Sequence, residues 1–207
     1  DKAGKDITVK TGKTDKDGKL VFSNLLMDTE YRIYETQTHS GYVLSTVAQN
    51  ITLKTDETEK AVAFTNAPTE LTFKKVDTTG AGLPDAEFTL YDGGAEVAKA
   101  VSDKDGMVTF LYLEKGKTYT LKETKRPGDD YLPSTTEFKA VVDKDGTCTL
   151  KNNDETVTEV VNADAGVITL NKTGEDSKPL AGTTFELKND AGEVIQTQIT
   201  GADGKLV

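Results

Sequence analysis

The sequence predicts an all-β protein built from tandem β-sandwich domains, and three observations support this fold class. Short runs of alternating apolar and polar residues, the pattern of half-buried strands, occur throughout the 207 residues. Segments rich in Gly, Asp and Lys, which suit tight turns, separate these runs, and no segment keeps a helical period. Long segments also recur along the chain at a spacing of about ninety residues, which is typical of repeated domains.

Two pairs of aligned segments define the repetition. Asp15–Thr36 aligns with Asp103–Thr124, and both segments begin with a DKDG turn and end in ET. Leu71–Asp92 likewise aligns with Ile168–Asp190. Because both matches are long, we interpret them as copies of one domain.

The repetition divides the chain into one complete and two partial domains. FTNAP near Asn66 and VVNAD near Asn162 close the first two copies. We therefore predict the later part of one repeat in residues 1–67, a complete repeat in 68–163, and the opening part of a third in 164–207. This pattern is expected of a window onto a longer array.

Within the complete repeat we expect seven or so strands in about ninety-five residues. Each alternating strand has one apolar face that a second sheet must cover, so the strands predict a sandwich. The runs that supply strands are TFKKV, EFTLY, MVTFLYL, TYTLKE, EFKAVV and TCTLK.

Composition and charge exclude several classes of function. The net charge of -10 and the pI near 4.7 argue against nucleic acid or anionic lipid as a partner, because like charges repel. No apolar run predicts membrane insertion or a signal peptide in this segment. A single cysteine, Cys148, predicts no internal disulfide, and a single histidine, His39, predicts no histidine cluster. We expect no metal and no cofactor, with Cys148 as a half-buried filler and His39 in a solvated loop.

Three polar residues of the complete repeat are predicted on apolar strand faces. Glu123, Lys75 and Asn162 each share the parity of apolar residues in their strands, so their side chains point to the core. The apolar residues of the same parity are Tyr119, Leu121, Leu71, Phe73 and Val160. An isolated charge in a core costs several kcal/mol or more, so we expect these groups to act together.

The same placement recurs in the partial repeats. Glu35, Asn66 and Lys172 are the equivalents of these three residues, and each again shares the parity of its apolar neighbours. This recurrence makes an accidental arrangement a poor explanation. Only the middle repeat contains all three residue types at the aligned positions.

A buried lysine, glutamate and asparagine can react with one another. Desolvation lowers the pKa of a lysine and raises that of a glutamate, whose protonated carboxyl can then hydrogen-bond the asparagine amide and polarise its carbonyl. A neutral Lys75 amine can attack the Asn162 side-chain carbonyl while Glu123 shuttles protons, which expels ammonia and leaves an amide cross-link. The alternative is a core salt bridge between Lys75 and Glu123, with Asn162 hydrogen-bonded nearby.

The complete repeat also contains four motifs that occur together in a known family. They are KVD with Lys75, LPDAEFTLYD from Leu83, YTLKETKRP with Glu123, and the terminal VVN with Asn162. This combination, which covers residues 71–162, resembles the B-type repeat domain of the Gram-positive collagen adhesin, also found in sortase-assembled pilins. The resemblance implies a transthyretin-like or inverse immunoglobulin-like β-sandwich with an autocatalytic Lys–Asn isopeptide bond between its first and last strands. It implies Lys75 as nucleophile, Asn162 as electrophile and Glu123 as proton shuttle.

Two segments depart from the family pattern. ETQTHSGY, which begins at Glu35, lacks the proline of the family's ETxAPxGY, and Asp129 and Asp130 precede Tyr131 where the family usually has glycine nearby. The glutamate and its inward neighbours remain in both repeats. We therefore expect neither change to remove the reaction.

Other motifs give weaker signals. DKDG occurs three times and allows a calcium interpretation, but its glycine spacing and the lack of flanking helices favour hairpin turns. LPST at 132–135 is similar to a sortase signal, but threonine follows it and no apolar tail comes after, which favours chance. Tyr91, Tyr112 and Tyr131 are candidates for a ligand patch, although strand-edge packing is commoner.

The resemblance implies a structural function. We expect a rigid, self-cross-linked stalk or backbone segment of a bacterial cell-surface adhesin or pilus-like fibre, located outside the cell and partnered by further repeats of the same array. The alternative is a binding module that contacts a host matrix protein such as collagen, or a glycan. A stalk predicts a uniformly polar exterior, whereas a binding module predicts an exposed aromatic or apolar patch on the middle repeat. A turnover enzyme has the least support, because the reactive residues are consumed once.

Overall fold

Strands account for all the regular structure in the part of the chain that the structure describes. The computed structural model describes residues 8–206, which fall into two units that divide between Ala163 and Asp164. Thirteen strands and no helix form in these described residues. The predicted all-β class is therefore confirmed.

The strands occur between residues 30 and 199. Their bounds are β1 Glu30–Ile33, β2 Gln49–Thr52, β3 Glu70–Val76, β4 Glu87–Asp92, β5 Ala95–Val101, β6 Met107–Leu111, β7 Thr118–Lys125, β8 Glu137–Val142, β9 Cys148–Asn152, β10 Glu155–Val157, β11 Glu159–Val161, β12 Thr184–Lys188 and β13 Val194–Ile199. Nine of the described strands, β3 to β11, belong to the complete repeat, where the sequence predicts seven or so. The additional ones include β5, whose alternation is weak, and the three-residue strands β10 and β11.

The complete repeat is a sandwich of two sheets. The larger sheet has six antiparallel strands in the order β10-β9-β8-β7-β4-β5, and the smaller has three in the order β11-β3-β6. β3 pairs antiparallel with β6 and parallel with β11, so the first strand of the repeat lies beside its last. This closing pair brings together segments that are far apart in the sequence, and it positions the candidate site.

The core lies between these two sheets. Alternate residues of β3, β6, β7 and β8 are buried, as in Leu71 and Phe73 of β3 and Leu121 of β7. Phe73 meets Phe88 of the larger sheet edge to face, with ring centroids 5.0 Å apart. The remaining core residues are Ala86, Leu90, Val108, Phe110, Leu113, Tyr119, Phe138, Ala140, Val142, Leu150 and Val160. The one-sided apolar strand faces predicted from the sequence are confirmed.

The DKDG segments form tight turns, as predicted. In each, the glycine N–H donates to the carbonyl of the first aspartate, and Gly18, Gly106 and Gly146 all adopt a positive φ. Glycine takes this conformation without the steric cost of a side chain. Asp103 Oδ1 additionally accepts two backbone N–H groups, so this carboxylate is bound by its own turn.

Residues 8–67 contain one antiparallel strand pair, β1 with β2. Tyr31 and Ile33 of β1 are half-buried while their neighbours are exposed, so the predicted parity is present. Phe64 and Asn66 are likewise half-buried beside exposed neighbours, although no strand forms there. Alternating burial therefore extends beyond the hydrogen-bonded ladder.

A loop of the first repeat packs against the complete repeat; we call this contact the repeat joint. Thr69 is fully buried, and its hydroxyl donates to Leu113 O at 2.7 Å and to Gly41 O at 3.3 Å. The rings of Tyr42 and Tyr112 meet edge to face with centroids 5.4 Å apart. Tyr112 has a φ of 61°, an uncommon conformation for a non-glycine residue, and its N–H donates to Thr69 O at 2.9 Å. The joint is thus built from specific contacts.

Residues 164–206 contain the antiparallel hairpin of β12 and β13, with a register shift after Leu187. Ile168, which the alternation predicts to face a core, is 74% exposed. The reason is that the described residues of this unit form no second sheet to cover it.

Candidate functional site

Lys75 lies on β3, in the middle of the smaller sheet. The alternation that buries Leu71 and Phe73 also buries Lys75, whose side chain is 0% exposed. Its Nζ donates to Val160 O at 2.9 Å and to Val76 O at 3.3 Å. The register of the closing pair places Lys75 beside Val160, so backbone carbonyls of this pair hold the amine.

Asn162 directly follows β11. Its N–H donates to Val76 O at 3.0 Å, which continues the parallel pairing, and its side chain is 2% exposed. Nδ2 donates to Glu123 Oε1 at 3.1 Å and to Leu132 O at 3.0 Å. Because both neighbours are acceptors, the amide nitrogen rather than the oxygen faces them. Asn162 Oδ1 is buried without a hydrogen-bond partner.

Glu123 lies near the end of β7, beside Phe88 of β4. Its side chain is half-buried. Oε1 accepts the bond from Asn162, and Oε2 accepts a bond from the Ser134 N–H at 3.1 Å. Both carboxyl oxygens are therefore bound, and the carboxyl is held between the amide and the loop that follows β7.

Burial changes the pKa of both ionisable groups. It lowers the pKa of Lys75 to about 8, although the negative charge of Glu123 acts in the opposite direction. Burial raises the pKa of Glu123 above its ordinary value, against the effects of Lys75, the Ser134 N–H and the Asn162 amide. Both shifts act in favour of the uncharged forms, a neutral amine on Lys75 and a protonated carboxyl on Glu123.

The hydrogen bonds of these groups define how the three side chains are placed. In the part of the chain that the structure describes, Lys75 makes no ion pair at contact distance with Glu123, and its hydrogen bonds go to carbonyls. The sequence predicts a carboxyl that polarises the Asn162 carbonyl, whereas Glu123 contacts the amide nitrogen, the atom that would leave as ammonia. Negative charge would develop on the unpartnered Oδ1 during attack. The contact between Asn162 Nδ2 and Glu123 Oε1 would let a proton pass between the carboxyl group and the amide nitrogen.

The first repeat contains the acid and the amide in the same arrangement. Asn66 Nδ2 donates to Glu35 Oε2 at 2.5 Å and to Val43 O at 2.9 Å. The Ser45 N–H donates to Glu35 Oε2 at 2.9 Å. No residue among 1–67 aligns with Lys75, and within residues 8–67 the acid and the amide meet without an aligned lysine.

The third repeat contains the lysine in a similar backbone frame. The Lys172 N–H donates to Gly204 O at 2.7 Å, and Lys172 O accepts from the Leu180 N–H at 2.9 Å. Lys75 makes the matching backbone bonds at 2.7 Å and 2.8 Å. Lys172 is half-buried rather than fully buried. In the complete repeat, Asn162 is hydrogen-bonded to Glu123, and Lys75 is close enough to Glu123 for their charges to interact. Lys172 lies in a separate unit.

Sequence reasoning missed the backbone groups that complete the site. Leu132 O and the Ser134 N–H contact the amide and the acid, and Val160 O contacts the amine. These groups have no side-chain signature. The available signal was repetition, because YVLS from Tyr42 and YLPS from Tyr131 have tyrosine and serine at the same spacing.

Within residues 8–206, no group of three or more His, Cys, Asp or Glu side chains is placed to hold a metal ion. No helix in these residues has the length and hydropathy to cross a membrane. Cys148 is half-buried against the core, and burial raises the pKa of its thiol.

Comparison with known proteins identifies the domain type. The family model of SpaA, described as a prealbumin-like fold domain, matches residues 1–68 and 69–156. Serine-aspartate repeat-containing protein D of Staphylococcus aureus strain Newman is 33% identical over 147 residues, an alignment that covers 60% of this chain and 10% of that protein. The chain thus spans about a tenth of the length of the curated relatives that it matches.

Two solved structures show further similarity. The Bacillus anthracis TIE protein is 29% identical with a TM-score of 0.41, and the match covers 93% of this chain and 36% of that one. The C-terminal fragment of pilus adhesin SpaC from Lactobacillus rhamnosus GG is 18% identical with a TM-score of 0.43, and the match covers 69% of this chain and 79% of that one.

The family match covers more than half of the chain in two consecutive copies. It confirms the predicted tandem β-sandwich class and the predicted resemblance to repeat domains of Gram-positive surface proteins. The chain belongs to the SpaA family of prealbumin-like fold domains.

Proposed function

We propose that the complete repeat forms an amide bond between Lys75 Nζ and Asn162 Cγ, and that this bond stiffens a stalk segment of a cell-surface protein. The observation that carries the proposal is the closing strand pair, which buries Lys75 beside the chain that leads to Asn162, while Glu123 contacts the Asn162 amide nitrogen. A buried ion pair is often no more stable than apolar packing, so it is a weak reason for three polar groups in a small core. A reaction that consumes two of them accounts for their presence.

The proposed reaction exchanges one C–N bond for another. Lys75 enters as a neutral amine and Glu123 as a protonated carboxyl, the states that burial favours. The Nζ lone pair attacks Cγ of Asn162, and Oδ1 takes up the negative charge. Glu123 delivers its proton to the amide nitrogen, 3.1 Å from Oε1, which leaves as ammonia, and the carboxylate then takes the surplus proton from Nζ. The products are one amide, one ammonia and a regenerated carboxyl, and each molecule reacts once.

The bond would change how the repeat carries a mechanical load. It would join β3, the first strand of the repeat, to the residue that follows β11, its last strand. A pull on the two ends of the repeat would then pass through β3, the bond and Asn162. The strands between them would carry no load, which suits a stalk.

The cellular role is proposed from the family. The family model matches two consecutive copies of one domain in this chain, and the Staphylococcus aureus relatives are named serine-aspartate repeat-containing protein D. We infer that residues 1–67 are the later part of one repeat, 68–163 a complete repeat and 164–207 the opening part of a third, within an extracellular, cell-surface adhesin or pilus-like fibre. Its partners would be further repeats of the same array.

Intact-mass measurement of the full chain tests the bond. The purified protein should be lighter than its sequence mass by one ammonia, because only the complete repeat has all three groups. Lys75→Met should restore the full mass, whereas Lys74→Met should keep the deficit, since Lys74 points away from the core and donates to Gly80 O at 3.4 Å. Proteolysis should release one branched peptide that contains Lys75 and Asn162. A full, unmodified mass in folded protein would reduce the site to a hydrogen-bonded cluster.

A binding function is the second candidate, and one observation favours it. The exterior of the complete repeat is not uniformly polar, because Val97, Leu111 and Tyr112 are 49%, 44% and 57% exposed. These residues line a cavity of about 190 Å³ beside β5 and the end of β6. An exposed aromatic and apolar surface is expected of a module that contacts a host matrix protein or a glycan.

Binding of the full chain to immobilised collagen and to a glycan array tests this second candidate. Leu111→Ser should weaken binding. Val161→Ser is the matched control, because Val161 is 52% exposed on β11, at the opposite edge of the same sheet. Absence of binding to collagen and to every arrayed glycan would leave the stalk as the function.

A further inference from the structure

We propose that the backbone of Leu132–Ser134, here called the loop clamp, positions the reacting groups of the complete repeat. Ser134 acts as a positioning residue through its N–H rather than through its side chain. The inference rests on the proposed cross-linking reaction. The clamp lies in the loop between β7 and β8, outside the strands that supply the three reactive side chains.

Three hydrogen bonds connect the clamp to the site. The Leu132 N–H donates to Ala163 O at 2.9 Å, which fixes the chain just after Asn162. Leu132 O accepts from Asn162 Nδ2 at 3.0 Å. The Ser134 N–H donates to Glu123 Oε2 at 3.1 Å. One short segment therefore holds both the amide and the acid.

The clamp determines which atom of the amide meets the acid. An asparagine side chain can present either its nitrogen or its oxygen to a carboxyl group. Leu132 O can only accept, so it keeps Asn162 Nδ2 on the side of Glu123 and Oδ1 on the other side. The leaving nitrogen thus lies against the group that protonates it.

The clamp also orients the carboxyl. The Ser134 N–H occupies Oε2 of Glu123, which leaves Oε1 to contact the amide. The other groups that act on Glu123 are the Lys75 amine on β3 and the Asn162 amide, while its neighbour on β4 is the apolar Phe88. The Ser134 N–H is therefore the one contact to Glu123 that comes from the loop.

The same clamp recurs in the first repeat, where Leu44 stands at the position of Pro133. The Val43 N–H donates to Ala67 O at 2.9 Å, and Val43 O accepts from Asn66 Nδ2 at 2.9 Å. The Ser45 N–H donates to Glu35 Oε2 at 2.9 Å. No aligned lysine is present there, so the clamp forms from the loop itself and does not depend on the amine.

The test removes one backbone N–H from the full chain. Residues 1–147 and 148–207 are prepared separately and ligated in denaturant at Cys148, the only cysteine of the sequence. Neither piece contains both Lys75 and Asn162, so no reaction precedes ligation. Dilution into buffer starts folding and reaction together, and mass spectrometry follows the loss of ammonia. One chain has lactic acid in place of Ser134, which replaces the N–H by an ester oxygen, and its matched control is Ser134→Ala.

The two chains differ in a single group, so their rates report on that N–H alone. Ser134→Ala should react at the rate of the unaltered ligated chain. The ester chain should react more slowly, on the order of tenfold per folded molecule, with the folded fraction measured by circular dichroism. The N–H also lowers the pKa of Glu123, so its loss should move the acidic limb of the pH–rate profile to higher pH. A purely structural role would not move that limb.

Two outcomes would count against the proposal in different ways. Equal rates and equal acidic limbs in the ester and Ser134→Ala chains would overturn the role of the clamp while leaving the cross-link in place. Failure of the folded, unaltered ligated chain to lose ammonia would contradict the cross-linking reaction itself, and the clamp's role with it.

Discussion

Residues 8–67 and the complete repeat contain the same acid–amide pair, and the complete repeat also contains a buried lysine. Asn66 donates to Glu35 and Asn162 donates to Glu123, and in both repeats a serine N–H from the loop binds the carboxyl. Lys75 has no equivalent in the first repeat. The comparison teaches that the acid–amide pair is a property of the local chain and does not require the amine.

The two regions also differ in burial. In the complete repeat, two sheets enclose the site, and Lys75 and Asn162 are 0% and 2% exposed. In the first repeat, the described residues form one strand pair, and Asn66 is half-buried. Desolvation is what lowers the pKa of an amine toward neutrality. A closed sandwich is therefore part of the proposed chemistry.

The largest expected effect comes from blocking the proton transfer in the complete repeat. Glu123→Gln keeps the size of the side chain but cannot shuttle protons, so the full mass should return. The free energy of unfolding should fall by about 4 to 5 kcal/mol, because the variant loses the bond that closes the chain from Lys75 to Asn162 into a loop. This value is the chain-entropy estimate for a cross-link that closes a loop of that length. Denaturant unfolding of the full chain, with intact mass measured on the same sample, checks both results.

Glu35→Gln is the matched control for this substitution. It makes the same exchange of oxygen for an amide nitrogen beside Asn66, where no lysine is aligned. Its mass deficit should equal that of the unaltered protein, and its cost should be about 1 kcal/mol, for one weakened hydrogen bond. Equal losses of stability in the two variants would show that the complete repeat gains nothing from a cross-link.

A second large effect should follow from opening the enclosed core. Phe73→Ala removes a ring that is 2% exposed and packs on Phe88, so it should lower the free energy of unfolding by about 3 to 5 kcal/mol. Leu170 is the aligned residue of the third repeat and is only half-buried. Leu170→Ala should therefore cost about 1 kcal/mol. Denaturant unfolding gives both values. Similar losses of stability would show that the core of the complete repeat is no better enclosed than the third repeat.

Strand parity was sufficient to predict the side chains of the site. Lys75, Glu123 and Asn162 were predicted to point inward because the two-residue period is a geometric property of any strand. Their role in cross-linking stays a prediction. The parallel pairing of β3 with β11 was not predictable in detail, because no sequence pattern specifies which distant strand closes a sheet.

The loop clamp was beyond sequence reasoning for a different reason. Every residue except proline has both an N–H and a C=O, so the sequence does not mark Leu132 and Ser134 as the residues whose backbone is used. The path of the loop decides this, and it becomes visible only in three dimensions. Comparison of the two repeats supplies the missing signal, because the loop of the first repeat makes the same bonds.

The pH dependence of cross-linking should separate the two ionisable groups. The rate of ammonia loss in the ligated full chain should fall below the raised pKa of Glu123, because a second proton on the pair keeps Lys75 cationic. The rate should also fall above a pH of about 8, the pKa of Lys75. Above this pH, Lys75 and Glu123 together hold no proton, so Glu123 has none to give to the leaving nitrogen. On each limb of the profile, the rate of ammonia loss should change by close to tenfold per pH unit. A rate that keeps rising above this pH would show that Glu123 acts without a proton of its own.

The smallest expected effect concerns the loops that precede Tyr42 and Tyr131 in the two repeats. A Cβ on Gly41 would lie 2.9 Å from the Tyr112 carbonyl oxygen, a backbone atom that cannot move without disturbing the repeat joint. Gly41→Ala should therefore cost about 1 to 2 kcal/mol in thermal unfolding of the full chain. Gly128→Ala is the control from the corresponding loop, where a Cβ would meet no atom within 4 Å, and it should change stability by less than about 0.5 kcal/mol. If both substitutions were neutral, the joint would yield to a methyl group, and the first repeat would be free to move independently of the complete one.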